Sequence, residues 1–211
     1  MLFTTPCAGL PAPYKAKSRL LCRVVAGALA ACLGMAAPAA PLEIAGVAVE
    51  PSVTVAGIPL VLNGAGVRYK SFAKVNVTEI HASKKFASLD ELVALPGPKR
   101  VTLTMLREVP SGMMGKSLTR GIEDNYPKSE VSKLVPSLIR ISEVFNAHKV
   151  LSAGDKVLVE WIPGTGTVVT VRGKVQGEPF REPEFFKAML SIWLGPVPVD
   201  FKLKDALLGQ P

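Results

Sequence analysis

Chemistry in this chain gathers around one arginine. Arg68 closes the run Asn63-Gly64-Ala65-Gly66-Val67-Arg68, and a strand-like segment from Phe72 to His81 follows it. The glycines read as a turn that hands Arg68 to the strand. An arginine is always charged and presents a planar fork of donors suited to a carboxylate or enolate oxygen. In the segment beyond it, Val75 and Val77 share one side while Lys74, Asn76 and Thr78 share the other. A strand buried on both faces is apolar throughout, so three polar side chains on one face need water or a polar ligand. The ordinary alternative is an Arg68 that sits in a solvated loop or pairs with an acid, because most arginines lie at surfaces.

Other chemistries find little support. Pro163-Gly164-Thr165-Gly166-Thr167 has the glycines of a phosphate loop but no lysine at the required spacing, and a valine-rich strand follows it instead of a helix. It reads as a hairpin turn. His81 and His148 are the only histidines, and neither has acids at metal-ligand spacing. Both are expected to be structural or surface residues, and no serine stands in a nucleophile elbow. No metal or cofactor is expected.

The elements that must position Arg68 follow from periodicity. Ile44–Val49 and Ser52–Val55 alternate weakly, and Ala56-Gly57 marks a tight turn before Pro59–Leu62. Ser88-Leu89-Asp90-Glu91 has the spacing of a capping box, and Pro96-Gly97-Pro98 stops the short helix it opens. Val101–Met105 alternates as a half-buried strand. Ser111 is placed as the cap of a helix running to about Asn125. Pro127 begins a second helix, whose apolar stripe runs from Val131 to Phe145, with Pro136 expected to bend it. Val157–Ile162, Val168–Val171 and Lys174-Val175 form an antiparallel meander, and Pro183 opens a last amphipathic helix that Gly195 ends. A short helix follows Asp200. This order predicts an α+β fold, a largely antiparallel sheet with helices packed on one face.

The first 39 residues form a separate unit. Lys15, Lys17, Arg19 and Arg23 precede an apolar run from Val24 to Met35, and Ala37-Pro38-Ala39 supplies small residues at a cleavage site. This pattern reads as a signal peptide, residues 1–39, followed by a single domain, residues 40–211. Pro38 and Pro41 interrupt the apolar run, so no transmembrane span is expected in the mature chain. Export to a compartment such as the periplasm is the expectation. Leu29-Ala30-Ala31-Cys32 offers the alternative of a lipoprotein anchored through Cys32. All three cysteines, Cys7, Cys22 and Cys32, lie in the leader, so the mature domain has no disulfide and relies on its core. The chain has 25 basic and 17 acidic residues. The leader removes four of the basic ones and no acid, leaving 21 against 17. An excess of +4 without an arginine stripe gives no basis for nucleic-acid binding.

The Asn-Gly-Ala-Gly-Val-Arg run resembles the start of the chalcone isomerase-like family. The likeness continues at Leu106-Arg107-Glu108-Val109, at Trp161–Thr167, and at Ile192-Trp193-Leu194-Gly195 with Leu203–Gly209. It implies an open-faced β-sandwich. In the plant isomerases of this fold an arginine stabilises the oxyanion formed as a phenolate attacks an enone, and Arg68 matches it. Their threonine falls on Asn76, their tyrosine and asparagine on Met114 and Gly121, and their threonine and methionine near the final helix on Ile192 and Trp193. Losing one oxyanion donor costs ~3 kcal/mol, so catalysis is not the first expectation, and an isomerase acting on a chalcone-like or other enone substrate is the alternative. The fatty-acid-binding members anchor a carboxylate with an arginine and a tyrosine, the latter again at Asn76. The resemblance therefore implies a small amphipathic acid as ligand. Arg68 and Asn76 would hold its head, and Met114, Leu118, Leu190 and Trp193 would wall its tail.

Overall fold

A computed structural model describes residues 42–210 of the chain. The expected leader, with its expected cleavage site and Cys32, lies outside the described residues. The domain is built on one antiparallel sheet of seven strands in the order β11-β10-β9-β6-β5-β4-β3. Its strands are β3 (Ser52–Val55), β4 (Ile58–Lys70), β5 (Ala73–Ala82), β6 (Lys99–Met105), β9 (Lys156–Ile162), β10 (Gly166–Val171) and β11 (Lys174–Val175). A hairpin of β1 (Leu42–Ile44) and β2 (Val47–Val49) precedes them, and a two-residue pairing joins β7 (Val109–Pro110) to β8 (Val150–Leu151). The helices are α1 (Leu89–Ala94), α2 (Ser111–Glu123), α3 (Lys128–Asn146), α4 (Pro183–Leu194) and α5 (Phe201–Leu207). No helix among the described residues is long and apolar enough to cross a membrane.

The α+β class expected from the pattern is the class observed. The capping box at Ser88 forms, with its hydroxyl accepting from Glu91 N at 3.1 Å, while the Glu91 carboxylate reaches Ala87 N at 2.7 Å. Ser111 departs from expectation. It is the first residue inside α2, and the cap position belongs to Pro110, which makes no side-chain bond there. The β7–β8 bridge explains this, since it carries Ser111 N to Lys149 O at 3.2 Å and supplies an acceptor from the backbone.

The glycine run departs more instructively. Gly64 and Gly66 are not a turn but lie inside β4, a strand of 13 residues that turns only after Lys70. A Cβ on Gly64 would fall on the carbonyl oxygen of Ala206 and within 2.6 Å of that of Leu207. On Gly66 it would meet Ala206 Cβ at 3.0 Å. Glycine in a strand marks a close approach of another backbone, and here α5 lies directly on β4. A bulge at Asn63 fastens the contact. Its amide donates to Leu207 O at 2.7 Å and accepts from Phe86 N at 2.8 Å.

The two sheet faces differ in chemistry. One carries Ile80, Val101, Leu103, Val157, Val159 and Val169, which join the helices in one hydrophobic core. Along the other run Glu79, His81, Thr102 and Thr104, all buried, with the Arg100–Glu160 ion pair at 2.6 Å. His81 Nε2 meets Glu50 O at 2.9 Å, and Arg100 reaches Thr54 O at 3.3 Å, which ties β2 and β3 to this polar face. The helices and the apolar cavity both belong to the first face, and so does Arg68.

Candidate functional site

Strand register decides what stands beside Arg68. The two-residue side-chain period puts Gly64, Gly66 and Arg68 on the helix side of β4. Arg68 lies opposite Asn76 on β5, which in turn lies opposite Met105 on β6. Gly66 lies opposite Thr78, which faces Leu103. Arg68, Asn76 and Thr78 therefore form a polar patch at one end of an otherwise apolar surface. Lys74, grouped with them by alternation, is exposed near the hairpin end. Asn76 and Thr78 are fully buried, yet both Asn76 amide atoms and the Thr78 hydroxyl lack a hydrogen-bond partner, as does Arg68 Nε. Leaving such groups unpaired costs about 1–3 kcal/mol each, and four of them in one patch is the main anomaly of the site.

Arg68 is half-buried, and its guanidinium makes no hydrogen bond or ion pair among the described residues. Burial pulls its guanidinium below the ordinary value, and the Asp200 carboxylate partly offsets the effect. Asp200 is itself engaged elsewhere. One oxygen caps α5 by accepting from Leu203 N at 3.2 Å, and the other accepts from Tyr69 N at 3.1 Å. It supplies a field at the arginine without pairing with it.

Beneath Arg68 lies an apolar cavity of about 40 Å³. Leu103, Val157 and Val159 form its sheet wall, and Met114, Ser117 and Leu118 project from α2. Phe145 closes it from α3, Met189, Ile192 and Trp193 from α4, and Val199 from the segment before α5. Asn125 holds that segment in place by donating to Val197 O at 2.8 Å and accepting from Val197 N at 2.9 Å. On the outer side of Arg68 a second chamber of about 200 Å³ is lined by Lys70, Ala73, Val75, Arg107, Glu108 and Met113. Arg68, Met114 and Ser117 line both chambers and so form the partition between them.

Of the residues singled out from sequence, Arg68, Met114, Leu118 and Trp193 line the inner cavity. Asn76 pairs across from Arg68 without lining it, and Leu190 is buried in the core away from it. On a helix one position is a rotation of 100°, and Met189 and Ile192 take the lining role beside Trp193. Sequence reasoning also passed over Ser117, although its place three residues after Met114 puts it on the same helical stripe. Gly121, aligned with a polar donor of the plant enzymes, serves packing. A Cβ there would meet Ile192 Cγ2 at 3.0 Å, so α4 fills the space a donor would use. Among the described residues no group of three acidic, histidine or cysteine side chains could hold a metal ion.

A curled antiparallel sheet covered on one face by helices is the architecture of the chalcone isomerase-like fold. The chain belongs to the chalcone isomerase-like family, whose model matches residues 41–209. Among solved structures it is similar to a fatty-acid-binding protein of Arabidopsis thaliana, with 14% sequence identity and a TM-score of 0.58 over 77% of this chain and 92% of that one. No curated protein matches the chain.

Proposed function

We propose that the protein binds a small amphipathic carboxylate, in the first instance a fatty acid, with its head on Arg68 and its tail in the inner cavity. The observation that carries this reading is a charged arginine without a partner, set beside buried unpaired atoms of Asn76 and Thr78, at the head of an apolar cavity. A carboxylate accepts charge-assisted bonds from a guanidinium fork and a further bond from an amide. The resemblance to a plant fatty-acid-binding protein agrees with this choice of ligand. The inner cavity is too small for a long tail as it stands. Met114 and Met189 on its walls are the adaptable side chains whose movement would open it, toward the outer chamber in the case of Met114.

Calorimetry with a fatty acid and the alcohol of equal length tests the role of Arg68. Arg68→Ala is expected to weaken binding of the acid by ~2–5 kcal/mol, the range for breaking a buried charge pair. Binding of the alcohol should hardly change, and Arg68→Lys should recover part of the loss because an ammonium lacks the planar fork. Equal weakening of acid and alcohol would sink the anchoring role. The isomerase reading has one observation in its favour, a serine, Ser117, on the cavity wall shared with Arg68. Against it, Met114 and Gly121 leave two donor positions empty of polar groups, and Ile192 packs against Gly121. We propose further that the protein works outside the cytoplasm, on the strength of the leader pattern. An intact mass beginning at Ala40 is the expected result, and an acylated Cys32 would refute ordinary cleavage.

A further inference from the structure

We propose that the β4–β5 hairpin tip docks onto an anionic lipid surface at the mouth of the outer chamber. The tip is Lys70-Ser71-Phe72-Ala73, and Ser71 turns it with a φ of +56°. Phe72 is wholly exposed, at 101% of its reference area, and contributes nothing to the core. A burial-driven fold has no use for a phenylalanine there. Three further apolar side chains stand exposed around it: Tyr69, Met113 and Phe201. Their neighbourhood follows from contacts. Lys70 Nζ lies 3.9 Å from Met113 Sδ, and Tyr69 N bonds Asp200, the residue before Phe201.

Charge favours lipid over a neutral apolar partner. Lys70 and Lys74 flank Phe72, Arg107 lines the adjoining chamber, and Lys202 follows Phe201. The nearby acids are fewer. Glu108 is exposed, and both carboxylate oxygens of Asp200 accept backbone N–H groups. An aromatic tip ringed by lysine and arginine is the pattern that partitions into the headgroup region of anionic bilayers, the ring entering the acyl boundary and the cations meeting phosphate. The outer chamber, lined by Lys70, Ala73 and Met113, opens at this same tip. An amphipathic ligand leaving a bilayer would thus meet the chamber first and Arg68 next. The purpose of the docking rests on the ligand reading above, but its test does not.

The experiment is co-sedimentation of the protein with vesicles of phosphatidylcholine alone and of phosphatidylglycerol mixed with phosphatidylcholine. Wild type is expected to bind the mixed vesicles more strongly, with the difference shrinking as salt is raised. Phe72→Ser should lower partitioning about tenfold. Lys74→Ser should lower it about fivefold at low salt. Both variants should bind a fatty acid in vesicle-free solution as wild type does, since neither side chain lines the cavities. Equal sedimentation of wild type and Phe72→Ser would overturn the proposal and leave a protein partner as the occupant of the tip. Wild type that ignores phosphatidylglycerol would overturn it as well. Loss of acid binding in Arg68→Ala with vesicle binding intact supports docking as a separate property. Vesicle binding that depends on Phe72 in a protein that takes up no acid would retain the docking and remove the ligand reading.

Discussion

Replacing Asn76 with leucine should make the unliganded protein more stable. Asn76 is fully buried on the helix side of the sheet, and neither its amide nitrogen nor its oxygen has a protein partner. Two unpaired polar atoms each carry a penalty of about 1–3 kcal/mol, and an apolar side chain of similar volume removes both. Against that gain stands the altered branching of leucine, which costs up to about 1.5 kcal/mol in a packed core. The net expectation is about 2 kcal/mol of stabilisation, or a rise in Tm of about 4–8 °C for a domain of this size. Urea unfolding at constant m-value measures it directly. The same variant should bind a fatty acid more weakly than wild type, since the amide is the group placed across from Arg68. Gain in stability and loss of affinity together mark a residue kept for function. A folded Asn76→Leu that is less stable than wild type would refute the reasoning, because it would mean the amide is already satisfied in the native protein.

Gly64→Ala should cost about 3 kcal/mol, because its Cβ lands on backbone of α5, while Gly66→Ala should cost about 1 kcal/mol, because its neighbours at 3.0 and 3.1 Å are side-chain carbons. Urea unfolding of the pair checks the order, and equal losses would refute close backbone approach as the cause. Burial holds the His81 imidazole below its ordinary value, the Glu50 carbonyl bond opposes this, and Arg100 and Lys85 add to the lowering. The folded state therefore binds fewer protons than the unfolded chain, so the His81 contribution is intact above about pH 6.5 and is lost as pH falls toward the folded value. Wild type minus His81→Gln stability should accordingly fall between pH 7 and pH 5. Glu79, raised chiefly by burial, acts in the opposite direction but is common to both proteins. A pH-independent difference would refute a neutral buried ring.

The strands and helices were readable because their apolar periods are local properties. Val101–Met105 alternates whatever it packs against, and the Val131–Phe145 stripe of α3 has one face by its own spacing. Gly64 and Gly66 read as a turn because a glycine pair in sequence serves a turn and a close approach equally well, and the approaching helix lies more than a hundred residues away. The same distance hid much of the cavity. Leu103, Val157 and Val159 line it from two strands, but which strand face receives the helices is set by the register of the whole sheet. Arg68 was legible as the centre because a charged residue on a half-apolar strand stands out in one dimension. Its lack of a partner became visible only in three.

Asp200 gives the site an order of assembly. The strand bearing Arg68 is synthesised early, but the carboxylate that supplies its counter-field comes 131 residues after Tyr69, with the helix that seals Gly64 and Gly66 behind it. Val199, part of the cavity wall, arrives with the same segment. A nascent chain therefore carries its arginine without that counter-field for most of its synthesis. The inner cavity therefore gains its Val199 wall together with the segment that leads into α5.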